Sequence, residues 1–541
     1  MYKCGAIFNY WIEEVRFYYY DENTVMMDFF ETISEEINSG KIRERDQLQR
    51  RKLSLSSMLH LDHIPSDTEI LNSGKVQKDK KKLLRIKPTR TISGVAVVAA
   101  MTSPESCPHG QCLYCPGGVK NNSPQAYTGY EPSALRGRMN NYDPYQITFN
   151  RLKQLETIGH DTSKIDLIVM GGTFTARDPD YQTSFVKGCL DGMNRSVSSS
   201  IEGSIEANET AERRCVGITV ETKPDWFLRK DIDLALSYGT TKVELGVQII
   251  NEKVLRMNGR GHGIKEIIDS TKFSKDSGLK IVYHVMPGMY GSDREEDIRS
   301  FRKIVEDQSF RPDMLKIYPT LVVKGTALYN LWKMGRYRPP DTEEAADIIK
   351  EFLKVCPPWI RVQRMQRDIP VNFIEAGVKR SDIRNIIDRK LREENEETWE
   401  IRSREIGMAS KEGKDPVLIR RDYNASDGKE IFLSFEESHN IYGYLRLRIP
   451  SADHHRPEMD NASVVREIKV LGEVVPLGEH ESSLWQHRGL GKSLLEEAER
   501  ISRDEYSLNR INVISGIGVR EYFRRFGYNR LGPYMSKVLK P

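Results

Sequence analysis

The sequence lacks a membrane span, a secretion signal and a disulfide framework. Its 541 residues contain no run of about 18 apolar positions, which argues against a transmembrane helix. The opening stretch, MYKCGAIFNYWIEEVRFYYY, has no basic n-region and carries acids inside it, so it does not read as a signal peptide. Met26 and Met27 then open a fresh acidic amphipathic stretch, MMDFFETISEEI, and the first 25 residues read as an over-extended start. Cysteine is scarce: of seven, four stand alone, at Cys4, Cys189, Cys215 and Cys356. So sparse a set cannot staple a chain this long and fits a reducing, cytoplasmic setting. Internal repeats are missing too.

Net charge is small, +4, and by itself names no partner. Its distribution says more. KIRERDQLQRRK (41–52) carries six basic residues against two acidic, and KVQKDKKKLLRIKPTR (75–90) eight against one. Such runs are commonly solvated faces. Two of them close together, ahead of a catalytic-looking motif, fit the electrostatic footprint of a nucleic-acid-binding arm. The composition does not determine whether the chain forms a homodimer or joins partner subunits.

From Gly94 onward, strand-like runs alternate with helical patterns. GVAVVAA, IDLIVM, CVGITV, KVELGV, KIVYHVM, MLKIY and WIRVQ are short and largely apolar. Buried runs spaced by helices predict an α/β fold with a parallel sheet, and six or seven units predict a complete or partial (β/α) barrel. The charged segment that follows reads as linker or exposed helix. After it, EIFLSFEES, IYGYLRLRI and VVREIKVLG predict antiparallel strands, and RGLGKSLLEEAERISRDE a helix, in a smaller α+β domain. The expected division is 1–85 basic segment, 86–375 barrel domain, 376–405 linker and 406–541 C-terminal domain.

Three of the seven cysteines crowd into CPHGQCLYCPGG. Cys107, Cys112 and Cys115 have spacing C-x4-C-x2-C directly after the first barrel strand. Thiolates this close bind zinc or iron. A structural zinc site could take His109 or a distant residue as its fourth ligand. Against it, closed zinc sites usually draw on two separated ligand pairs, and the motif lies where barrel active sites are built. Three thiolates on a [4Fe-4S] cluster leave one iron open, able to chelate S-adenosylmethionine and pass it an electron.

The loop resembles the cluster motif of radical SAM enzymes, although its first gap is four residues rather than the commoner three. The longer string KPTRTISGVAVVAAMTSPESCPHGQCLYCPGG is similar to the Elongator catalytic subunit, a tRNA wobble-uridine modifying family, over residues 80–541. The resemblance implies that Gly171 and Gly172, in IVMGGTF, bring backbone groups to the cofactor. Glu221, Lys223 and Gln248 would lie near the barrel mouth as cofactor and substrate contacts, and Lys164 would touch acetyl-CoA. Arg260 and His284 fall in matching stretches without an assigned role. Relatives carry a zinc-binding cysteine cluster near residues 401–407; Thr398, Glu400 and Ser403 stand here instead, and no zinc is expected.

In QHRGLGKSLLEEAE, Gln486, Gly489 and Gly491 are spaced Q-x-x-G-x-G at the start of a helix, a site suited to a pyrophosphate. With its flanking strands this stretch resembles the Gcn5-related acetyltransferase fold. The resemblance implies a splayed strand whose backbone at Glu467, Ile468, Lys469 and Val470 holds the pantetheine arm. Leu490, Gly491 and Lys492 would lie under the pyrophosphate, and Tyr522 and Phe523 beside the thioester. A hydroxyl role falls to Tyr522 or Tyr534.

Together these imply a tRNA-modifying acyltransferase. A 5′-deoxyadenosyl radical takes hydrogen from the methyl of acetyl-CoA, and the resulting carbon radical adds to carbon 5 of the wobble uridine. Thioester hydrolysis then leaves 5-carboxymethyluridine. The basic segment would hold the anticodon stem-loop of the tRNA, whose unpaired bases can be splayed into a pocket. A rival reading is a protein lysine acetyltransferase with a structural metal cluster and Glu467 or Glu473 as base. A third is a nucleic-acid-binding scaffold.

Overall fold

A computed structural model describes residues 22–77, 79–86, 94–406, 416–471 and 489–540. They divide between two compact units, Met1–Thr89 with Leu155–His160 and Arg90–Gln154 with Asp161–Pro541. The expectations for residues 1–21, Gln486 and Glu473 lie outside the described residues. No helix among them is long and apolar enough to cross a membrane.

In the first unit the amphipathic stretch around Met26 lies in helix Glu22–Asn38, followed by helices Arg45–Met58 and Asp67–Asn72. Phe29, Ile33 and Ile37 recur at helical spacing and meet Leu48, Leu55 and Ile70 in one core. Part of the basic run 41–52 is spent inside this unit. Arg51 pairs with Glu36 at 2.7 Å, and Lys52 is buried on Asp67 at 2.7 Å. The described part of the supposed arm is therefore a folded helical body with a reduced free charge.

In the second unit, β1 (Ala96–Met101), β2 (Lys164–Met170), β3 (Arg214–Thr222), β4 (Lys242–Gln248), β5 (Lys280–Val285) and β6 (Met314–Ile317) pair in parallel in that order. β7 (Val322–Val323) leaves the sheet to pair with β9 (Ile374–Ala376), and β8 (Arg361–Arg364) is the seventh strand, beside β6. β1 and β8 are edges that do not pair with each other, so the barrel is partial. Each of the seven apolar runs lies in or overlaps one of its strands. Along β2, Ile165, Leu167 and Val169 are buried in the core, while Lys164, Asp166, Ile168 and Met170 stay half-buried on the inner face. Period-two alternation thus separates helix-covered from lumen-facing positions.

Residues 376–405 are not a linker. Helix Ile383–Glu393 buries Ile383, Ile386, Ile387 and Leu391 in the same core as the barrel. Its charged residues masked that stripe in the sequence. Beyond it Glu400 caps helix Ile401–Arg404, takes Arg384 at 2.9 Å and joins Ser403, whose hydroxyl also receives Thr398 at 2.7 Å.

The C-terminal sheet has the order β10-β11-β12-β13-β14-β16-β15, comprising β10 (Val417–Ala425), β11 (Gly428–Glu437), β12 (Asn440–Ile449), β13 (Ala462–Val470), β14 (Arg510–Val513), β15 (Asn529–Leu531) and β16 (Tyr534–Val538). The β13–β14 pair is parallel and the others antiparallel. β10 is an edge strand that carries exposed Arg420 and Asp422 and buries only Tyr423 and Ala425, too short an apolar face to stand out in the sequence. Helix Leu490–Arg500 buries Leu494, Leu495 and Ala498 on the sheet.

This sheet meets the barrel at the N-terminal ends of the barrel strands. Arg466 donates to the Leu279 carbonyl at 2.9 Å and to Asp313 at 2.7 Å, just before β5 and β6. Arg448 holds Asp276 at 2.6 Å and Glu430 at 2.9 Å. A side chain at Gly516 would fall 2.1 Å from the Val216 carbonyl at the start of β3. Buried ion pairs add little net stability, yet losing one partner strands a charge in a dry interface, so the network fixes how the two sheets dock.

Candidate active site

The cluster loop leaves β1 and lies over the C-terminal ends of the strands. Cys112 and Cys115 are buried and Cys107 half-buried. The glycine pair that follows is sterically required. A Cβ on Gly118 would sit 1.9 Å from the Pro124 carbonyl, and Gly117 holds a left-handed φ of +73° with Gln111 against it. Each sulfur has a polar neighbour: Thr173 Oγ1 at 3.4 Å from Cys107, Gln125 Nε2 at 3.6 Å from Cys115, and His109 Nε2 at 3.2 Å from Cys112. His109 thus stands within hydrogen-bond reach of one of the three sulfurs.

A cavity of about 1080 Å³, including its open mouth, spreads from these thiols. Cys107, Cys112, Cys115, Gly172, Glu221, Lys223, Gln248, Arg260 and His284 all line it. Gly172, at φ +75°, leaves no room for a Cβ, which would lie 2.8 Å from the Gln125 carbonyl and 3.8 Å from Cys107 Sγ. Gly171 is not among the residues that line the cavity. Its missing side chain makes way for Thr102, whose Oγ1 would be 2.0 Å from a Cβ. Gln248 ends β4 with φ +73°, rare for a residue with a side chain, and its buried Oε1 has no partner among the described residues. Backbone strain of this kind gathers where a site imposes it.

Arg260 now has a place. It reaches Cys112 Sγ at 3.5 Å and the Gly246 carbonyl at 2.5 Å, while its buried Nε has no partner among the described residues. His284 receives or donates a bond with Glu244 at 2.8 Å, and Lys316 sits 2.5 Å from the same carboxylate. Lys316 supplies the cation that Glu221, Glu244 and His284, all within reach of one another, would otherwise demand. Burial raises Glu244, but Lys316 and His284 outweigh it and hold its carboxyl far below the usual range. Glu221 goes the other way, pushed up by burial and by neighbouring Glu244, and takes a bond from Tyr127 at 2.5 Å. Burial, with Lys223 and Arg260 nearby, lowers His109 to about 4, so its ring is neutral at pH 7. Tyr127, Glu244 and Lys316 were missed in the sequence. For Glu244 and Lys316 the available signal was a charge inside the otherwise apolar runs KVELGV and MLKIY.

The donor set fits a [4Fe-4S] cluster with a small polar ligand beside it. Three thiols face one cavity, and the buried orphans Gln248 Oε1, Arg260 Nε and His109 Nδ1 await partners there. Burial, aided by the neighbouring cysteines, pushes the Cys107 and Cys115 thiols up, so their ionisation as ligands depends on the metal's own charge.

The second candidate site lies on the C-terminal sheet. β13 pairs with β14 only from Ala462 to Val465 and then parts from it, so Glu467 to Val470 pair with β12 alone. Gly489, at φ +77°, opens the helix, and among the described residues no atom lies within 4 Å of its Cβ position. A Cβ on Gly491 would lie 3.1 Å from Tyr522 Oη and 3.6 Å from Val470. Val470, Gly491 and half-buried Tyr522 thus come together. Ile468 packs on the domain core, and Lys492 is exposed, 3.5 Å from Glu496. Phe523 is elsewhere: it is buried in that core against Tyr528, so no thioester can lie beside it. Tyr534 is also excluded from a hydroxyl role, since its Oη donates to the Ser277 carbonyl at 2.9 Å. Lys164 sits at the N-terminal end of β2, with its pKa lowered by burial.

A partial parallel barrel with three thiols over its strand ends defines a radical SAM protein. The radical SAM superfamily model matches residues 101–304, the radical SAM C-terminal domain residues 312–393, and the ELP3 N-terminal domain residues 26–92. A tRNA uridine(34) acetyltransferase of Methanocaldococcus jannaschii is 46% identical over 538 residues, 96% of this chain and 99% of that one. Elongator complex protein 3 of Drosophila melanogaster is 40% identical over 94% of this chain and 96% of its own. The crystallised Elp3 of Methanocaldococcus infernus, lacking its N-terminus, superposes with a TM-score of 0.74 at 43% identity, covering 83% of this chain and all of that one. The chain belongs to the Elp3 family, that of the Elongator catalytic subunit.

Proposed function

We propose that the protein carboxymethylates the wobble uridine of tRNA, using S-adenosylmethionine and acetyl-CoA. The observation that carries this reading is the pairing, in one chain, of a three-thiol cavity with a splayed strand and glycine-opened helix. The names of the archaeal relatives support uridine 34 as the target.

Cys107, Cys112 and Cys115 would hold the [4Fe-4S] cluster, which when bound supplies the electron that cleaves S-adenosylmethionine to a hydrogen-abstracting radical. Around it the protein positions and shields. Gly172 lets a ligand approach the backbone closely, and the free donors of Arg260 and acceptor of Gln248 suit an amino acid moiety. Glu221, drawn toward its neutral form, suits a hydroxyl-bearing ligand, while Met170 and Met286 present an apolar wall. Lys223, buried 3.1 Å from Asp225, lends positive charge near the mouth.

At the other site, backbone groups from Glu467 to Val470 suit the amides of pantetheine. The amides at Leu490, Gly491 and Lys492 suit a pyrophosphate at the helix start. Tyr522 lies beside Gly491, where its hydroxyl can reach the arm. The inner face of β2 stays half-buried from Lys164 to Met170, leaving room in the lumen between the two sites. Glu467 does not suit the base of a protein lysine acetyltransferase. Burial pushes it up, but Arg446 at 2.9 Å and Lys280 hold it low, and a paired, acidic carboxylate is a poor proton acceptor. The basic first unit would hold the anticodon stem-loop through phosphate contacts.

Mass spectrometry of tRNA nucleosides after anaerobic turnover tests the reading. 5-Carboxymethyluridine should appear only with S-adenosylmethionine, acetyl-CoA and intact Cys112 together. Unmodified uridine from iron-loaded protein would refute it, as would acetyl-lysine on a protein as the sole product.

A further inference from the structure

Gln125 follows the cluster loop, and its side chain touches two of the three candidate iron ligands. Its Oε1 accepts the Cys107 backbone N–H at 3.4 Å, and its Nε2 donates to Cys115 Sγ at 3.6 Å. Its own backbone N–H goes to the Glu105 carbonyl at 3.1 Å, just ahead of the first cysteine. One buried amide side chain therefore ties the first thiol's backbone to the third thiol's sulfur.

The backbone is bent to put it there. Ala126, the next residue, holds φ at +77°, a left-handed conformation rare for a residue with a Cβ and kept only where the surroundings impose it. Arg367 fixes that turn by donating to the Ala126 carbonyl at 3.3 Å. Backbone N–H groups of Gly117 and Ala126 face the Cys115 sulfur as well. Cys115 is only 4% exposed, so water is poorly placed to replace a donor lost there, unlike at half-buried Cys107. Thr173 touches the sulfur of Cys107 and Arg260 that of Cys112, one ligand each. Gln125 spans two.

Resting on the cluster reading above, we propose that Gln125 is a positioning residue that closes the cluster loop and raises the reduction potential of the cluster it surrounds. One-electron reduction adds negative charge, part of which falls on the ligand sulfurs. The Gln125 N–H meets that charge at Cys115 and favours the reduced state. Its Oε1 meanwhile keeps Cys107 in place through the main chain. Hydrogen bonds to sulfur and solvent exposure are among the determinants of such potentials. The two ends of one side chain thus do separable jobs.

The test is a dithionite titration of full-length, anaerobically reconstituted protein, followed by electron paramagnetic resonance beside an iron assay. Gln125→Met keeps the side chain's length and loses both bonds. It should load less iron and shift the reduction equilibrium about tenfold toward the oxidised cluster, about 59 mV for one electron. Gln125→Glu keeps the acceptor for Cys107 and loses the N–H donor. At about pH 9, the top of the range that buried glutamates reach, it should load iron like wild type under the same conditions. Its reduction equilibrium should shift at least as far in the same direction, which covers the case in which Gln125→Met loads too little iron to titrate. An equilibrium within about twofold of wild type, or shifted toward the reduced cluster, in either iron-loaded variant overturns the proposal. So does equal iron content in the two variants, which would leave the Cys107 bond without a role. Wild-type protein that forms no reducible four-iron cluster would instead refute the cluster reading itself.

Discussion

The two ends of the barrel strands do opposite things with polar groups. At the C-terminal ends they are left wanting: Gln248, Arg260 and His109 hold buried atoms without partners, and Gln248 is strained. At the N-terminal ends Arg446, Arg448 and Arg466 are each buried against carboxylates. Along β2 the two ends are about 20 Å apart, six steps of about 3.3 Å. An end built to receive a ligand carries unspent hydrogen bonds. An end built to hold a second domain sets its charges against opposite ones, even where, as at Lys275 Nζ and Arg446 Nη1, the pair is too long for a hydrogen bond.

That contrast can be broken at either end. The largest effect is expected from Cys112→Ser, which should abolish iron loading and modified nucleoside together and leave the thermal melting of the iron-free protein unchanged. A shift in that melting would mean that the ligand end also carries the fold. Next, Asp313→Asn should cost about 3–5 kcal/mol, read as a lower denaturant midpoint. It removes the carboxylate that Arg466, Arg446 and Lys275 share and leaves Glu430 to face the excess buried positive charge. A loss below about 1 kcal/mol would show that the docking end is not dry.

Acid sharpens the same point. Burial raises Asp313 and Glu430, but Arg466 and Lys275 overcome it and hold both below their ordinary values. Their contribution is complete above the unfolded pKa values of about 3.9 and 4.3 and is lost as pH falls through the folded ones. Near-ultraviolet circular dichroism should therefore stay native at pH 5 and collapse only below about pH 4. Gly491→Val should weaken CoA binding at least about tenfold through contact with Tyr522 and loss of the open helix start, with iron content unaffected. Lys492→Ala, at an exposed site, should weaken it only about two- to fivefold, and less in high salt.

Much of this was legible in the residues. Apolar runs of four to eight residues located the seven parallel strands, because a strand covered on its outer face must be apolar there. Three crowded thiols pointed to a metal site, since a redox pair needs only two thiols and the third suits a further metal ligand. The helix Ile383–Glu393 was hidden by its own charges, which cover a stripe of four buried residues. Phe523 and Tyr534 were misplaced because a motif assigns a neighbourhood, while which way a ring turns depends on what packs behind it.

What the chain determined by itself is local: periodicity, turn glycines, and thiol spacing, each acting over a few residues through sterics and valence. Which charges meet was decided only by folding. Glu244 with Lys316, Asp166 with Lys242, and Arg466 with Asp313 join residues 72, 76 and 153 positions apart. Nothing short-ranged links such pairs. The sheet brings them together, and burial then makes the meeting matter, because a charge removed from water must find its partner.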